Sequence, residues 1–272
     1  MNSVLKYPGS KWSLAEWIVG HFPPHHSYLE PFFGSGAVLF SKPRSHIETV
    51  NDLDGDVVNL FECIRQDPEK LGRMVYYTPY SRQEYEKTYQ SAVPTDPFER
   101  AARFLLRCNQ GHGFRTNEHR VGWKNDVQGR ERAYAAKYWA ELPMRIGEAA
   151  ERLRGIQIEN RPAAEVIARF NGENVLIYCD PPYVLSERSG GKRQYKHEMT
   201  DADHEELLAA LKAHRGPVVL SGYPSALYDR ELRGWYRETA TATDQLSRRR
   251  LEVLWMNFEP VKQETLFHEG VR

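Results

Sequence analysis

The chain has 272 residues, 40% of them hydrophobic and 12% aromatic, with 37 basic side chains against 37 acidic ones. That length fits one large domain or a core domain carrying a smaller insert, and the zero formal charge argues neither for nor against a polyanionic partner. No stretch approaches the ~18 uninterrupted apolar residues of a membrane helix, and the opening MNSVLKYPGSKW lacks the apolar core of a secretory leader, so no membrane association and a cytoplasmic location are expected.

Within the first sixty residues, HSYLE reads as a short strand, PFFGSGA as a glycine turn leading into a helix, and HIETVND as a second strand ending in acids, followed by another helix. From about Phe61 to Leu153 the pattern changes. SRQEYEKTYQ and DPFERAARFLLRCNQ have helical character and flank a glycine- and polar-rich segment, GHGFRTNEHRVGWKND, suited to a hairpin or exposed loop. Then α/β alternation returns: GIQIEN, NVLIYCD, GPVVLSGY and LEVLWMNF read as strands, PAAEVIARF and DADHEELLAALKAH as helices, the latter capped by Thr200 or Asp201. The simplest architecture is one α/β domain built from residues 1–61 and 155–272, with 62–154 inserted as a mostly helical second lobe.

Three widely separated cysteines, Cys63, Cys108 and Cys179, form neither a disulfide framework nor a CxxC pair. The tight histidine pair His25–His26 sits between PP and SY without helical ligand spacing, so no metal is expected. Basic charge is unevenly spread: Arg103, Arg107, Arg115, Arg120, Lys124, Arg130 and Arg132 stand against Glu118, Asp126 and Glu131 in one thirty-residue stretch. Two smaller clusters are Arg188/Lys192/Arg193/Lys196 and Arg248/Arg249/Arg250.

In open α/β sheets ligands bind beyond the carboxyl ends of the strands, which directs attention to EPFFGSGA, NDLDGD and CDPPY. Gly34 and Gly36 let the backbone turn tightly and approach a ligand. The turn lacks the lysine-serine ending of a P-loop and the full three-glycine dinucleotide spacing. Asp52 closes the next strand about twenty residues later, where a carboxylate accepts hydrogen bonds from ribose hydroxyls, while Asp54 and Asp56 are better placed as helix caps. Glycine turn and ribose acid together point to a nucleoside-containing cofactor, with Phe32 or Phe33 available to line its adenine.

In VLIYCDPPYV, Asp180 stands at a strand tip and is followed by Pro181 and Pro182, which fix two acceptors in a small space: the Asp180 side chain and the Pro181 carbonyl. Two fixed acceptors suit an exocyclic amine, and Tyr183 offers a flat face for a base. An aromatic amine is a poor nucleophile because its lone pair is delocalised. Accepting both its hydrogens favours the pyramidal geometry that attacks a methyl on a sulfonium, a step for which Asp180 need not be a strong base.

With these residues in view, the chain resembles the Dam-type DNA adenine-N6 methyltransferases over nearly its whole length. LKYPGSK is similar to the family's amino-terminal cofactor motif, EPFFGSGAV to its glycine turn, NDLDGDVVNLF to its ribose-binding segment and CDPPY to its catalytic tetrapeptide. The resemblance implies a Rossmann-like methyltransferase sheet with helices on both faces and an inserted DNA-recognition lobe. It implies S-adenosylmethionine as cofactor, leaving as S-adenosylhomocysteine, and double-stranded DNA as partner. It assigns cofactor contacts to Tyr7, Lys11, Glu30, Pro31, Phe32, Gly34, Gly36, Asp52 and Asp180, and catalysis to Asp180, Pro181, Pro182 and Tyr183. The family often has glycine where Ser10 stands. Extrusion of a paired adenine requires a grip on the duplex, for which the basic insert with Phe114 and Trp123 is suited. Arg115, Asn117, Arg120, Lys124 and Asn125 are the candidate DNA contacts, and Val184 to Met199, with Gly190-Gly191, is read as a loop closing over the flipped base.

Three alternatives stand beside this reading. Methylation of a protein glutamine is opposed by Asp180 where Asn is typical, methylation of RNA is opposed only by the large basic insert, and a silent DNA-binding homologue is opposed by the intact Lys11, Asp52 and Asp180. A monomer is expected, and neither the recognition sequence nor pairing with a restriction nuclease is written in the residues.

Overall fold

The computed structural model describes residues 3–90, 92–113, 115–117, 119–125, 135–188, 193–243 and 249–260. Seven strands form one sheet: β1 (Ser27–Glu30), β2 (Ile47–Asn51), β3 (Gln157–Glu159), β4 (Val175–Cys179), β5 (Val218–Gly222), β6 (Tyr236–Thr243) and β7 (Arg249–Met256). Their order is β3-β2-β1-β4-β5-β7-β6, parallel except for β7, which runs antiparallel to both β5 and β6. The chain winds outward from β1 to β3 on one side and from β4 to β5 on the other. The crevice between β1 and β4 is therefore the topological switch point, where α/β sheets bind ligands.

Strand alternation explains the layers. Leu176 and Tyr178 of β4 enter one core cluster with Val50 and Leu254, while Ile177 and Cys179 enter a second on the opposite face. The second face is covered by α8 (Ala163–Arg169), α9 (Asp201–Ala213) and α10 (Ala226–Glu231) through Val166, Ile167, Leu207, Leu208, Leu211 and Tyr228. Thr200 caps α9 in a reciprocal capping box with Asp203, deciding between the two expected caps.

On the first face lie α1 (Ala15–Gly20), α2 (Ala37–Ser41), α3 (Gly55–Gln66), α4 (Pro68–Tyr77), α5 (Arg82–Gln90), α6 (Pro97–Gln110) and α7 (Ala135–Arg152). Asp67 and Asp96 cap α4 and α6, each with proline at the first turn where its missing N–H costs nothing. Leu71, Leu105, Leu142 and Ile146 from these helices share one continuous core with Val50 and Tyr178 of the sheet. Helix α7 continues through Pro143, against which Gly72 of α4 packs without a side chain in the way. A short antiparallel pairing follows α6: Gly111 bridges Trp123, Lys124 N–H donates to Gln110 O at 2.8 Å, and His112 N–H to Gly122 O at 2.9 Å. This is the hairpin expected in GHGFRTNEHRVGWKND. Phe114, Glu118, Asp126, Arg130, Glu131, Arg132, Gly190, Gly191, Lys192 and Arg248 lie outside the described residues.

The start of β2 is tied to the end of α7 by a buried charge cluster. Glu48 accepts from Lys42 Nζ at 2.7 Å and from Arg152 at 2.6 and 2.9 Å. Burial alone would raise its carboxyl, but these hydrogen bonds outweigh it and bring the pKa down to about 2. The stabilisation is therefore present above the ordinary value near 4.5 and is lost as pH falls through about 2. Glu48→Ala, which strands two cations, is expected to cost ~3–5 kcal/mol in urea unfolding at pH 7. The difference from wild type should shrink on acidification, and equal stability at pH 7 would show the cluster to be dispensable.

Candidate active site

Glu30, Asp52 and Asp180 stand at the carboxyl ends of the adjacent parallel strands β1, β2 and β4, and all three line one cavity of about 760 Å³. Small-molecule sites span roughly 300–1,000 Å³, so the space suits a nucleoside-sized ligand. Tyr7, Lys11, Pro31, Phe32, Gly34, Pro182 and Asn117 also line it, as do Asp54, Ala163, Ala164 and Tyr195, to which the sequence assigns no ligand role. Gly36, Pro181 and Tyr183 are not among the residues that line it.

The glycine turn is built by conformations that only glycine adopts without strain. Gly34 has φ +49° and faces the Tyr7 ring, which a Cβ would meet at 3.0 Å. Gly36, at φ +68°, caps α2 and is packed so tightly that a Cβ would fall 2.6 Å from both Phe33 and Phe40. Ser10 answers the departure from the family pattern: its hydroxyl lies 2.8 Å from that of Ser35 in the turn, fastening the two cofactor-motif segments together.

Asp52 clamps the turn to the next loop, accepting from Gly34 N–H at 2.8 Å and from Asp54 N–H at 2.9 Å. Burial pushes its carboxyl up to about 7 against the pull of these bonds. Asp54 caps α3, as expected, by accepting from Asp56 N–H. Its second oxygen is buried without a hydrogen-bond partner among the described residues. Glu30 is 2% exposed and bonded by Tyr28 OH at 2.8 Å, and burial raises it to about 8.

At the tip of β4, Asp180 Oδ2 pairs with Lys11 Nζ at 3.0 Å and Asp180 Oδ1 accepts from Ser221 Oγ at 2.9 Å. Lys11 also donates to Gly9 O at 2.6 Å and lies 4.7 Å from the Tyr183 ring centre. Burial would lower the Lys11 pKa, but the Asp180 and Glu252 carboxylates overcome it and raise it, so the ammonium persists at neutral pH. Tyr183 donates its hydroxyl to Glu252 Oε2 at 2.7 Å and meets Tyr223 edge-on at 4.5 Å.

A family model of the D12 class N6 adenine-specific DNA methyltransferases matches residues 7–249. The chain belongs to this family. It is 27% identical over 257 residues to the DNA N-6-adenine-methyltransferase of Escherichia phage P1, covering 92% of this chain and 33% of that protein. It is 25% identical over 258 residues to a DNA adenine methylase of Vibrio cholerae, covering 91% and 90%, and 27% identical over 254 residues to the Retron Ec67 DNA adenine methylase of Escherichia coli, covering 87% and 81%. The chain thus spans one third of the phage protein and most of the other two.

The five residues expected at DNA are dispersed in the structure. Arg120 and Asn125 are exposed, with Arg120 3.4 Å from Glu86, whereas Arg115, Asn117 and Lys124 are half-buried. The Lys124 backbone is held in the hairpin, its carbonyl accepting from Tyr80 OH at 2.7 Å. Asn117 alone among the five reaches the cavity, donating to Arg193 O at 3.0 Å. Thr116 N–H donates to Gln194 O at 3.0 Å and Thr116 Oγ1 accepts from Lys196 N–H at 3.2 Å. The hairpin is thereby joined to the segment after the tetrapeptide, which Tyr195 OH fastens to Pro8 O at 3.1 Å and Lys196 to Asp56 at 2.9 Å. No helix of the described residues is long and apolar enough to cross a membrane.

Gly36→Ala should expose the packing demand of the turn. Strain at positive φ and the two ring contacts together are expected to cost ~2–4 kcal/mol in urea unfolding, and an unchanged midpoint would refute the tight fit.

Proposed function

We propose that this protein transfers a methyl group from S-adenosylmethionine to the N6 amine of an adenine extruded from duplex DNA, in the cytoplasm, releasing S-adenosylhomocysteine. The observation that carries the reading is the Asp180 carboxylate, held at the tip of β4 in the same cavity as the glycine turn and Asp52.

The residues present fit the cofactor. Among the described residues Asp52 accepts from the backbone N–H groups of Gly34 and Asp54, one on each oxygen, which leaves each oxygen capacity for a ribose hydroxyl. Gly34 keeps the Tyr7 ring close without a side chain between, and Pro31 and Phe32 supply apolar wall. Asp52 and Asp180 bring carboxylate oxygens to the wall of the cavity that would receive the cofactor's ribose and sulfonium. When bound, S-adenosylmethionine supplies a methyl carbon already activated by its positive sulfur.

The remaining work falls to the chain. Lys11 and Ser221 fix the Asp180 carboxylate and leave a lone pair on each oxygen, so it can accept one N–H of the amine while the Pro181 carbonyl accepts the other. This draws the nitrogen lone pair out of the ring. After transfer the nitrogen is acidic, and Asp180 or water takes its proton. Residues 62–154 act as the target-recognition domain, in which Arg115, Arg120, Lys124 and Asn125 hold the duplex; Asn117 contributes by joining the hairpin to the loop over the cavity.

Labelled methyl from S-adenosylmethionine should appear on adenine N6 of duplex DNA, and Asp180→Ala should reduce transfer by at least 10²-fold while cofactor still binds. Full transfer by that variant would refute the mechanism, and preferential labelling of RNA would move the substrate. Cofactor binding gives a second check. Asp52 must be ionised to accept two ribose hydroxyls, and with its pKa at about 7 the affinity should rise between pH 6 and pH 8. Calorimetry showing a flat profile, or the same profile in Asp52→Asn, would remove Asp52 from the ribose site.

A further inference from the structure

Glu252 is an acid followed in LEVLWMNF by Val253 to Met256, all apolar and buried, and the sequence assigns it no role. It lies on β7, the strand inserted between β5 and β6, and is only 7% exposed. Its carboxylate accepts the Tyr183 hydroxyl at 2.7 Å, joining β7 to the last residue of the tetrapeptide across 69 positions of sequence. Burial raises its carboxyl and the neighbouring Asp180 adds to that, while the Lys11 ammonium and the Tyr183 hydroxyl oppose them.

We propose that Glu252 is a positioning residue: by holding the Tyr183 hydroxyl it fixes where that ring sits, and with it the pose in which the extruded base meets Asp180. The role rests on the methyl-transfer reading given above. Three contacts define the ring: the hydroxyl on Glu252, the edge-on approach to Tyr223, and Lys11 Nζ 4.7 Å from its centre. The Tyr223 and Lys11 contacts act on the tilt of the ring face, but neither holds the far end of the ring in place. The hydroxyl stands at that far end, on the ring's long axis, and its bond to Glu252 fixes where the ring sits before substrate arrives. A base stacked against the fixed ring has its amine directed toward the Asp180 oxygens, whereas a base beside a loose ring must be ordered during the reaction. Glu252 also adds a second negative charge near Lys11, so the Lys11–Asp180 pair and the Tyr183 ring belong to one connected group spanning the amino-terminal loop, β4 and β7.

The experiment is a double-mutant cycle on the full chain, with turnover per cofactor-binding site measured on duplex DNA and target extrusion followed by 2-aminopurine fluorescence. Tyr183→Phe keeps the ring and loses the bond; Glu252→Ala removes the acceptor; Glu252→Gln retains an acceptor oxygen. Tyr183→Phe and Glu252→Ala are each expected to lower kcat roughly tenfold to a hundredfold, the range of a hydrogen bond to a charged group, with cofactor affinity unchanged. The double variant should be no slower than the worse single one, and Glu252→Gln should recover most of the rate. Wild-type kcat in Tyr183→Phe, multiplicative losses in the double variant, or a Glu252→Ala defect that vanishes once active sites are counted would each overturn the role. Wild-type protein that methylates no duplex adenine would instead overturn the underlying reading and the role with it. If Glu252→Ala does not fold, Tyr183→Phe and Glu252→Gln alone decide the matter, since both keep the buried volume.

Discussion

The ion pair between Lys11 and Asp180 is the contact around which the site is arranged. Both side chains are largely withdrawn from water, at 5% and 18% exposure, and removing two such charges from solvent costs several kcal/mol per ion. The cost is offset only because each keeps further partners: Gly9 O for the ammonium, Ser221 for the carboxylate. The pair closes the amino-terminal loop onto the end of β4, so the tetrapeptide and the LKYPGSK loop cannot move independently.

Around that pair the protein gathers acids against their inclination. Burial raises Glu30 to about 8 and Asp52 to about 7, and it raises Glu252 as well. Glu30 and Asp52 stand at strand ends with Asp180, where several acceptors converge on one cavity suited to ligands rich in hydroxyl and amino hydrogens, while Glu252 lies within β7. The fold makes this convergence unavoidable: β2, β1 and β4 are neighbours, and each carries its acid at the carboxyl end.

Much of this was legible in the sequence because local chemistry and fold agree there. The strands β1, β2, β4, β5 and β7 carry apolar runs, and an acid stands at or just past the end of β1, β2 and β4. The edge strand β6, in contrast, reads YRETATAT, half polar and largely exposed, so only its pairing with β7 makes it a strand. Tertiary contacts decided the rest. Asn117 has the side chain of a base reader, yet it donates to Arg193 O, a partner 76 residues away that no local pattern reveals. Asp54 was legible as a cap but not as a carrier of a free acceptor. For Glu252 the signal was present, a lone acid within an apolar strand, and lacked only the knowledge of what faces it.

The most direct test is the structure of the protein with S-adenosylhomocysteine and duplex DNA together. The target N6 should lie about 3 Å from an Asp180 oxygen and from the Pro181 carbonyl, with Lys11 still on Asp180. An adenine amine bound elsewhere, or an Asp180 turned away from it, would contradict the assignment of these strand-end oxygens as the amine's acceptors.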